Sequence, residues 1–343
     1  MALRTLDVSK KTVKAAAVAH KFTRRVVAQE AAIDALIMLL DKHSSGMYNH
    51  SKPIGSLLFL GPTGSGKTLV AEAFTEGLFG LSGKMMKVDC AEFQHSHEIA
   101  KLVGSPPGYL GHRETHPFFT NTSMLAARLD DKGVEVMPFT VVLFDEIEKA
   151  SDALWSLLLG ILDKGSLTTG TNEKVDFTKT IIILTSNVGA AEQSDDKALG
   201  FNTGEKLIDD QKMEDIAMSA ARRKFLPEFL NRFDQIITFK SLTRVDLQKV
   251  LDLELDKVQT RIIETSNVIF ELRVTEAGLK ELVDAGYDKR YNARHLVRAV
   301  EKYISNPLGR LVATQQIHND DIVVADYLPS LKEWKYVAAP RKP

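Results

Sequence analysis

Apolar positions along the chain fall into two kinds of pattern. Between Arg24 and Lys42 they recur at Val26, Val27, Ala31, Ile33, Leu36, Ile37 and Leu40, close to helical periodicity. The segment predicts one helix, followed by a polar connection over residues 44–53. Short continuous apolar runs then appear at 56–60, 85–88, 140–144 and 180–185, separated by stretches long enough for helices and rich in turn residues. Strands buried on both faces read as unbroken apolar runs, so this alternation predicts an α/β fold, a parallel sheet flanked by helices. After Phe239 the pattern changes. Thr243 with Asp246 three residues on forms a helix start, and Val250, Leu251, Leu255, Val258 and Ile262 continue it. Further helices are expected over 275–285 and 292–304, and a short strand over 321–326. The resulting division is a lead-in (1–20), a large α/β domain (21–240), a smaller, mainly helical domain (241–330) and a Pro-containing tail (331–343).

Composition narrows the class. With 343 residues, 44% hydrophobic and 26% charged, the chain is long enough for about two packed domains and is not disordered. A net charge of −1 supplies no global basic field for nucleic acid or anionic lipid. The single cysteine, Cys90, cannot form an internal disulfide, which favours a reducing compartment. No apolar run reaches about 18 residues and the charged N-terminus has no signal-type apolar stretch behind it, so a cytoplasmic protein without membrane attachment is expected. His95, His97, His112 and His116 lie close in sequence but lack neighbouring cysteines or a matched spacing, and are read as solvated loop residues rather than metal ligands.

Gly61-Pro62-Thr63-Gly64-Ser65-Gly66-Lys67-Thr68 fits the pattern G-x-x-x-x-G-K-[ST], directly after the 56–60 strand and before a helical stretch over 69–78. Glycines let backbone N–H groups converge on phosphate oxygens, and the helix N-terminus adds a positive dipole end. Lys67 would reach the β and γ phosphates of ATP and the Thr68 hydroxyl would bind Mg²⁺. The 140–144 strand runs into Asp145 and Glu146, two carboxylates at the C-terminal end of a parallel strand, where such sheets place their ligands. Asp145 suits the Mg²⁺ shell and Glu146 suits polarisation of an attacking water.

These motifs, with Glu148-Lys149-Ala150, Gly104 to Gly111, Thr185-Ser186-Asn187 and Pro227 to Asp234, resemble the AAA+ module of Clp-type protein unfoldases and disaggregases, above all the second module of the two-ring members. The similarity runs from about Val26 to Ala325. It implies an ATPase that acts as a homohexameric ring, threading unfolded polypeptide through a central pore. By the same resemblance Asn187 is the first sensor, Arg232 the finger reaching a neighbour's γ phosphate, and Arg294 the second sensor. Val26 and Val27 would flank the adenine, Tyr109 with Leu110 would grip polypeptide in the pore, and Leu199-Gly200-Phe201 resembles a loop that docks on a chambered peptidase.

The chain also departs from the family. Residues 112–138 are longer than the usual link and carry Phe118, Phe119 and Asp130-Asp131-Lys132-Gly133 in place of a Gly-Gly pair, while Asn292 stands where the family usually has Gly. A first ATPase ring, a coiled-coil middle domain and an N-terminal substrate domain have no room in 343 residues, which leaves a lone ring protein relying on adaptors or an excised module. Two other functions remain open on the sequence: a nucleotide-switched scaffold controlling a partner complex, and a nucleic-acid-directed AAA+ motor, which the charge balance disfavours.

Overall fold

A computed structural model describes residues 7, 10–80, 85–105, 116–130, 132–189, 210–287 and 292–340. The chain divides into two compact units, Met1–Gly61 with Gly66–Phe239, and Lys240–Pro343 with Pro62–Ser65.

In the first unit, strands β1 (Gly55–Leu60), β2 (Met86–Asp89), β3 (Thr140–Asp145), β6 (Thr180–Ser186) and β7 (Gln235–Thr238) form one sheet in the order β2-β3-β6-β1-β7. Every pairing in it is parallel. Strands β4 (Ser166–Thr168) and β5 (Lys174–Asp176) make a separate antiparallel hairpin. The four apolar runs expected from the sequence are β1, β2, β3 and β6, and their residues divide between the two faces with period two. Leu57, Phe59, Val141, Leu143, Ile181 and Ile183 pack with α1 (Val13–Thr23), α2 (Glu30–Ser44) and α3 (Lys67–Phe79). Leu58, Leu60, Val142, Phe144, Ile182 and Leu184 pack on the other face with α4 (Asp152–Lys164) and α5 (Asp210–Lys224).

The first helix departs from expectation. Residues 24–29 form a bend, with Ala28 at φ +60°, and α2 begins only at Glu30. Val26 and Val27 therefore lie between α1 and α2, the first buried and the second half-buried. The 1–20 lead-in also contains most of α1, whose Ala15, Val18 and Phe22 enter the core. One face of a short helix with alanines at its centre suffices for that docking, a weaker pattern than the long stripe of α2.

The lengthened segment contributes to the core as well. Phe119 is fully buried, its ring 5.3 Å from Phe177 and 6.0 Å from Phe144, and its N–H donates to the Leu102 carbonyl. Phe119→Ala is expected to lower the unfolding free energy by about 3–5 kcal/mol, the cost of removing a buried aromatic, in a urea titration of the folded protein. A loss below about 1 kcal/mol would show that 116–130 does not share the core.

The second unit has α6 (Arg244–Ser266), β8 (Phe270–Val274), α7 (Glu276–Gly286), α8 (Ala293–Val300), α9 (Asn306–Ala313), β9 (Asp321–Leu328) and β10 (Glu333–Pro340). Thr243 and Asp246 form the reciprocal cap expected at the start of α6. Where the sequence pattern suggested a tail, β10 pairs antiparallel with β9, while β8 pairs with β9 in parallel. Trp334 anchors it, 5.6 Å from the rings of both Tyr303 and Tyr327. Most of β10 is exposed, so it lacks the apolar run that marks a central strand. Asn292 is buried at φ +45°, and its Oδ1 accepts the Leu242 N–H at 2.9 Å. A positive φ is where glycine is most at ease, so the amide supplies a compensating bond at a position that favours Gly. Among the described residues, no helix is long and apolar enough to cross a membrane.

Candidate active site

The site of the first unit grows from the C-terminal ends of β1, β3 and β6, which the register sets side by side: Leu60 opposite Ser186 and Phe144 opposite Leu184. Beyond β1 the chain turns at Gly61, where φ is +148° and a Cβ would lie 2.8 Å from the Phe239 carbonyl oxygen. Only glycine fits there. Gly66, at φ +96°, opens α3, so the first N–H groups of that helix face the turn. Pro62, Thr63, Gly64 and Ser65 complete the loop, with Ser65 buried.

Lys67 is only 6% exposed, and its Nζ donates to the Gly61 carbonyl at 2.8 Å and to Asn187 Oδ1 at 2.9 Å. These contacts fix the ammonium at the loop, where it can meet a phosphate. Asn187 Nδ2 in turn donates to Glu146 Oε1 at 3.1 Å. Beside this chain of contacts, Thr68 Oγ1 donates to Asp145, 3.0 Å from Oδ1 and 3.2 Å from Oδ2. The structure thus brings Lys67, Thr68, Asp145, Glu146 and Asn187 together, as the motifs predict.

Four further residues shape the site without having been assigned a role from sequence. Thr185 Oγ1 donates to Asp145 Oδ1 at 2.5 Å and accepts the Glu146 N–H at 3.0 Å, joining both acids to β6. That bond supports Glu146 in the left-handed region, φ +58° and ψ +50°, an arrangement that costs a non-glycine residue about 1 kcal/mol or more. Glu148 Oε1 accepts the Asn187 N–H at 3.1 Å, and Lys149 Nζ pairs with Glu146 Oε2. The hydrogen bond to Glu146 raises the Lys149 pKa, so the ammonium form is favoured. Lys87 Nζ lies 3.4 Å from Asp145 Oδ2. Glu148 and Lys149 sit within the acidic motif and Thr185 within the sensor motif, so the signal was present. The contacts of Thr185 and Glu148 depend on β3 and β6 being neighbours, which the sequence does not declare. Cys90 lies under the acids, and burial, reinforced by Asp145, pushes its thiol above the usual range, which keeps it an inert core residue.

Arg232 is elsewhere. It precedes β7, and its carbonyl accepts from Ser56 Oγ at 3.2 Å, at the start of β1. The phosphate loop leaves the other end of β1, five residues on, which at the strand rise is about 16 Å away. Arg294 is exposed on α8 of the second unit. Tyr109, Leu110, Leu199, Gly200 and Phe201 lie outside the described residues. His95 caps the turn Ser96–Ile99 and stacks on His97 at 5.7 Å.

A family model described as AAA domain (Cdc48 subfamily) matches residues 52–236, and one described as the C-terminal, D2-small domain of ClpB protein matches 242–325. The chain belongs to the Clp-type AAA+ ATPases. Relatives of this family include the ATP-dependent Clp protease ATP-binding subunit ClpC of Staphylococcus saprophyticus, 37% identical over 91% of this chain and 36% of its own length, and that of Staphylococcus aureus, with the same identity and coverage. The chain thus spans about a third of these curated relatives. Among solved structures, the closed state of Hsp104 with ATPγS and FITC casein superposes with a TM-score of 0.77 at 30% identity, over 95% of this chain and 52% of that one. The Saccharomyces cerevisiae Hsp104:casein complex in its extended conformation gives 0.79 at 28%, over 95% and 53%. The AAA+ module and its small domain, expected from the motifs, are therefore established as the architecture of this chain.

Proposed function

We propose that this AAA+ module hydrolyses ATP and uses the cycle to pull on unfolded polypeptide within a ring, a homohexamer by family resemblance. The observation that carries the reading is the run of contacts from Lys67 through Asn187 to Glu146, beside Thr68 on Asp145. Lys67 and the loop of Gly61, Pro62, Thr63, Gly64, Ser65 and Gly66, whose residues other than the proline offer backbone N–H groups, bind phosphates. Asn187 lies between the phosphate lysine and the acid, where its amide can orient a water against Glu146, which accepts the proton. Thr68 and Asp145 present hard oxygen donors at one point, a donor set that fits Mg²⁺, with water and phosphate completing the shell. Bound Mg²⁺ would supply charge neutralisation on the phosphates. Val26 and Val27 flank the adenine, and Arg294 contacts the nucleotide from within its own subunit. Arg232 sits too far from its own phosphate loop to serve it, which supports action on the neighbouring subunit.

In the same reading Tyr109 and Leu110 grip the polypeptide, since an apolar aromatic needs no particular partner side chain. Leu199, Gly200 and Phe201 offer an apolar contact to an adaptor or chambered peptidase, and the protein works in the cytoplasm without membrane or nucleic acid. The test is the steady-state ATPase rate with Mg²⁺, with and without casein, beside Tyr109→Ala. Casein is expected to raise the rate, and Tyr109→Ala to remove that response while basal hydrolysis persists. Hydrolysis indifferent to polypeptide would point instead to a nucleotide-switched scaffold or a nucleic-acid motor.

A further inference from the structure

Arg232 is mounted on a rigid base. Its carbonyl accepts from Ser56 Oγ, while Asp234 Oδ2 accepts the Ser56 N–H at 2.8 Å and the Asp234 N–H donates back to the Ser56 carbonyl at 3.0 Å. Its side chain, 34% exposed, meets a second rigid element. Nε lies 2.8 Å from Asp163 Oδ2, in the last turn of α4, as an ion pair outside hydrogen-bond geometry, and Nη2 lies 3.6 Å from Glu228 Oε1. The end of α4 is itself fixed: at Gly165, which caps it, a Cβ would meet the Ser51 carbonyl oxygen at 2.8 Å, and the Gly165 carbonyl accepts the Phe177 N–H at 2.8 Å. Asp163 Oδ1 faces Lys52 Nζ at 3.9 Å.

Exposed ion pairs between two long flexible side chains contribute little, because ordering both offsets the Coulomb gain. Asp163 is short and held on a docked helix end, so only the arginine is ordered by this pair. Guanidinium donors form a planar fork, and a carboxylate on the Nε side does not consume the Nη edge, which matches phosphoryl oxygens. Glu228, 65% exposed and 3.6 Å away, is the looser partner and can be displaced. We propose that Asp163 is the positioning residue of Arg232: its charge holds the guanidinium from the Nε side and leaves the Nη edge for the γ phosphate of the neighbouring subunit. This rests on the proposed trans role of Arg232.

Mixed assemblies test it. Subunits carrying Lys67→Ala keep Arg232 but lack the phosphate lysine, and subunits carrying Arg232→Ala keep the nucleotide site. Mixing the two is expected to restore hydrolysis that neither shows alone. With Asp163→Asn added to the Lys67→Ala subunits, the restored kcat is expected to fall about tenfold with KM for ATP unchanged, as for misplacement of a catalytic group. Added to the Arg232→Ala subunits, Asp163→Asn should change nothing, since that finger is already absent. Asp163→Glu in the donor should recover part of the rate, and it carries the test if the Asn form fails to assemble. Equal restoration with and without Asp163→Asn in the donor, or an equal loss in both arms, overturns the proposal. Failure of the parent mixture to regain activity would instead overturn the trans role of Arg232.

Discussion

Arg232→Ala is expected to lower kcat of the assembled protein by about 1,000-fold or more, the range over which an arginine finger acts in phosphoryl transfer. ATP binding by the unassembled subunit should be unchanged, because the residue stands at the end of β1 remote from its own phosphate loop. Folding stability should change by less than about 1 kcal/mol: the side chain is a third exposed, and Asp163 keeps Lys52 nearby when the guanidinium is gone. Single-turnover hydrolysis, ATP titration and a urea melt on the same variant separate the three quantities. A kcat within about threefold of the parent would remove Arg232 from the transition state. A loss of ATP affinity in the isolated subunit would place it at its own site, against the sheet topology.

The same topology explains what could be read in the chain and what could not. Strands β1, β3 and β6 are buried on both faces, so their runs Ser56 to Leu60, Thr140 to Phe144 and Thr180 to Thr185 stand out against any background. Strand β7 is half-exposed and four residues long, and β10 is mostly exposed on both sides, so neither had an apolar signature. Phe119 appeared as part of an unusual insertion because its partners, Phe144 and Phe177, are distant in sequence. At the candidate site, Lys67, Thr68, Asp145 and Glu146 were legible because phosphate binding calls for such side chains at the ends of strands, and Asn187 through the resemblance to the family's first sensor. Thr185, Glu148 and Asp163 act through register and helix docking, and long-range pairing is invisible to local spacing.

Glu146→Gln is the second large effect. It is expected to reduce kcat by about 100- to 10,000-fold, the usual contribution of a positioned general base, while ATP still binds. The acid now accepts from two donors, Asn187 Nδ2 on Oε1 and Lys149 Nζ on Oε2. A glutamine of the same shape has one oxygen to offer, so one donor would face an NH₂ group, and its carbonyl would be a far weaker base toward water. Lys67 still meets Gly61 and Asn187, so the phosphate contacts are not touched by the change. The variant should therefore hold ATP in a ring that cannot turn over, which a filter-binding measurement alongside phosphate release would show as retained nucleotide with little product. If hydrolysis persists within about tenfold, the base is another group, and Glu148 is the next acid to change, since its Oε1 already fixes the Asn187 backbone. In that case Glu148→Gln should produce the loss that Glu146→Gln did not.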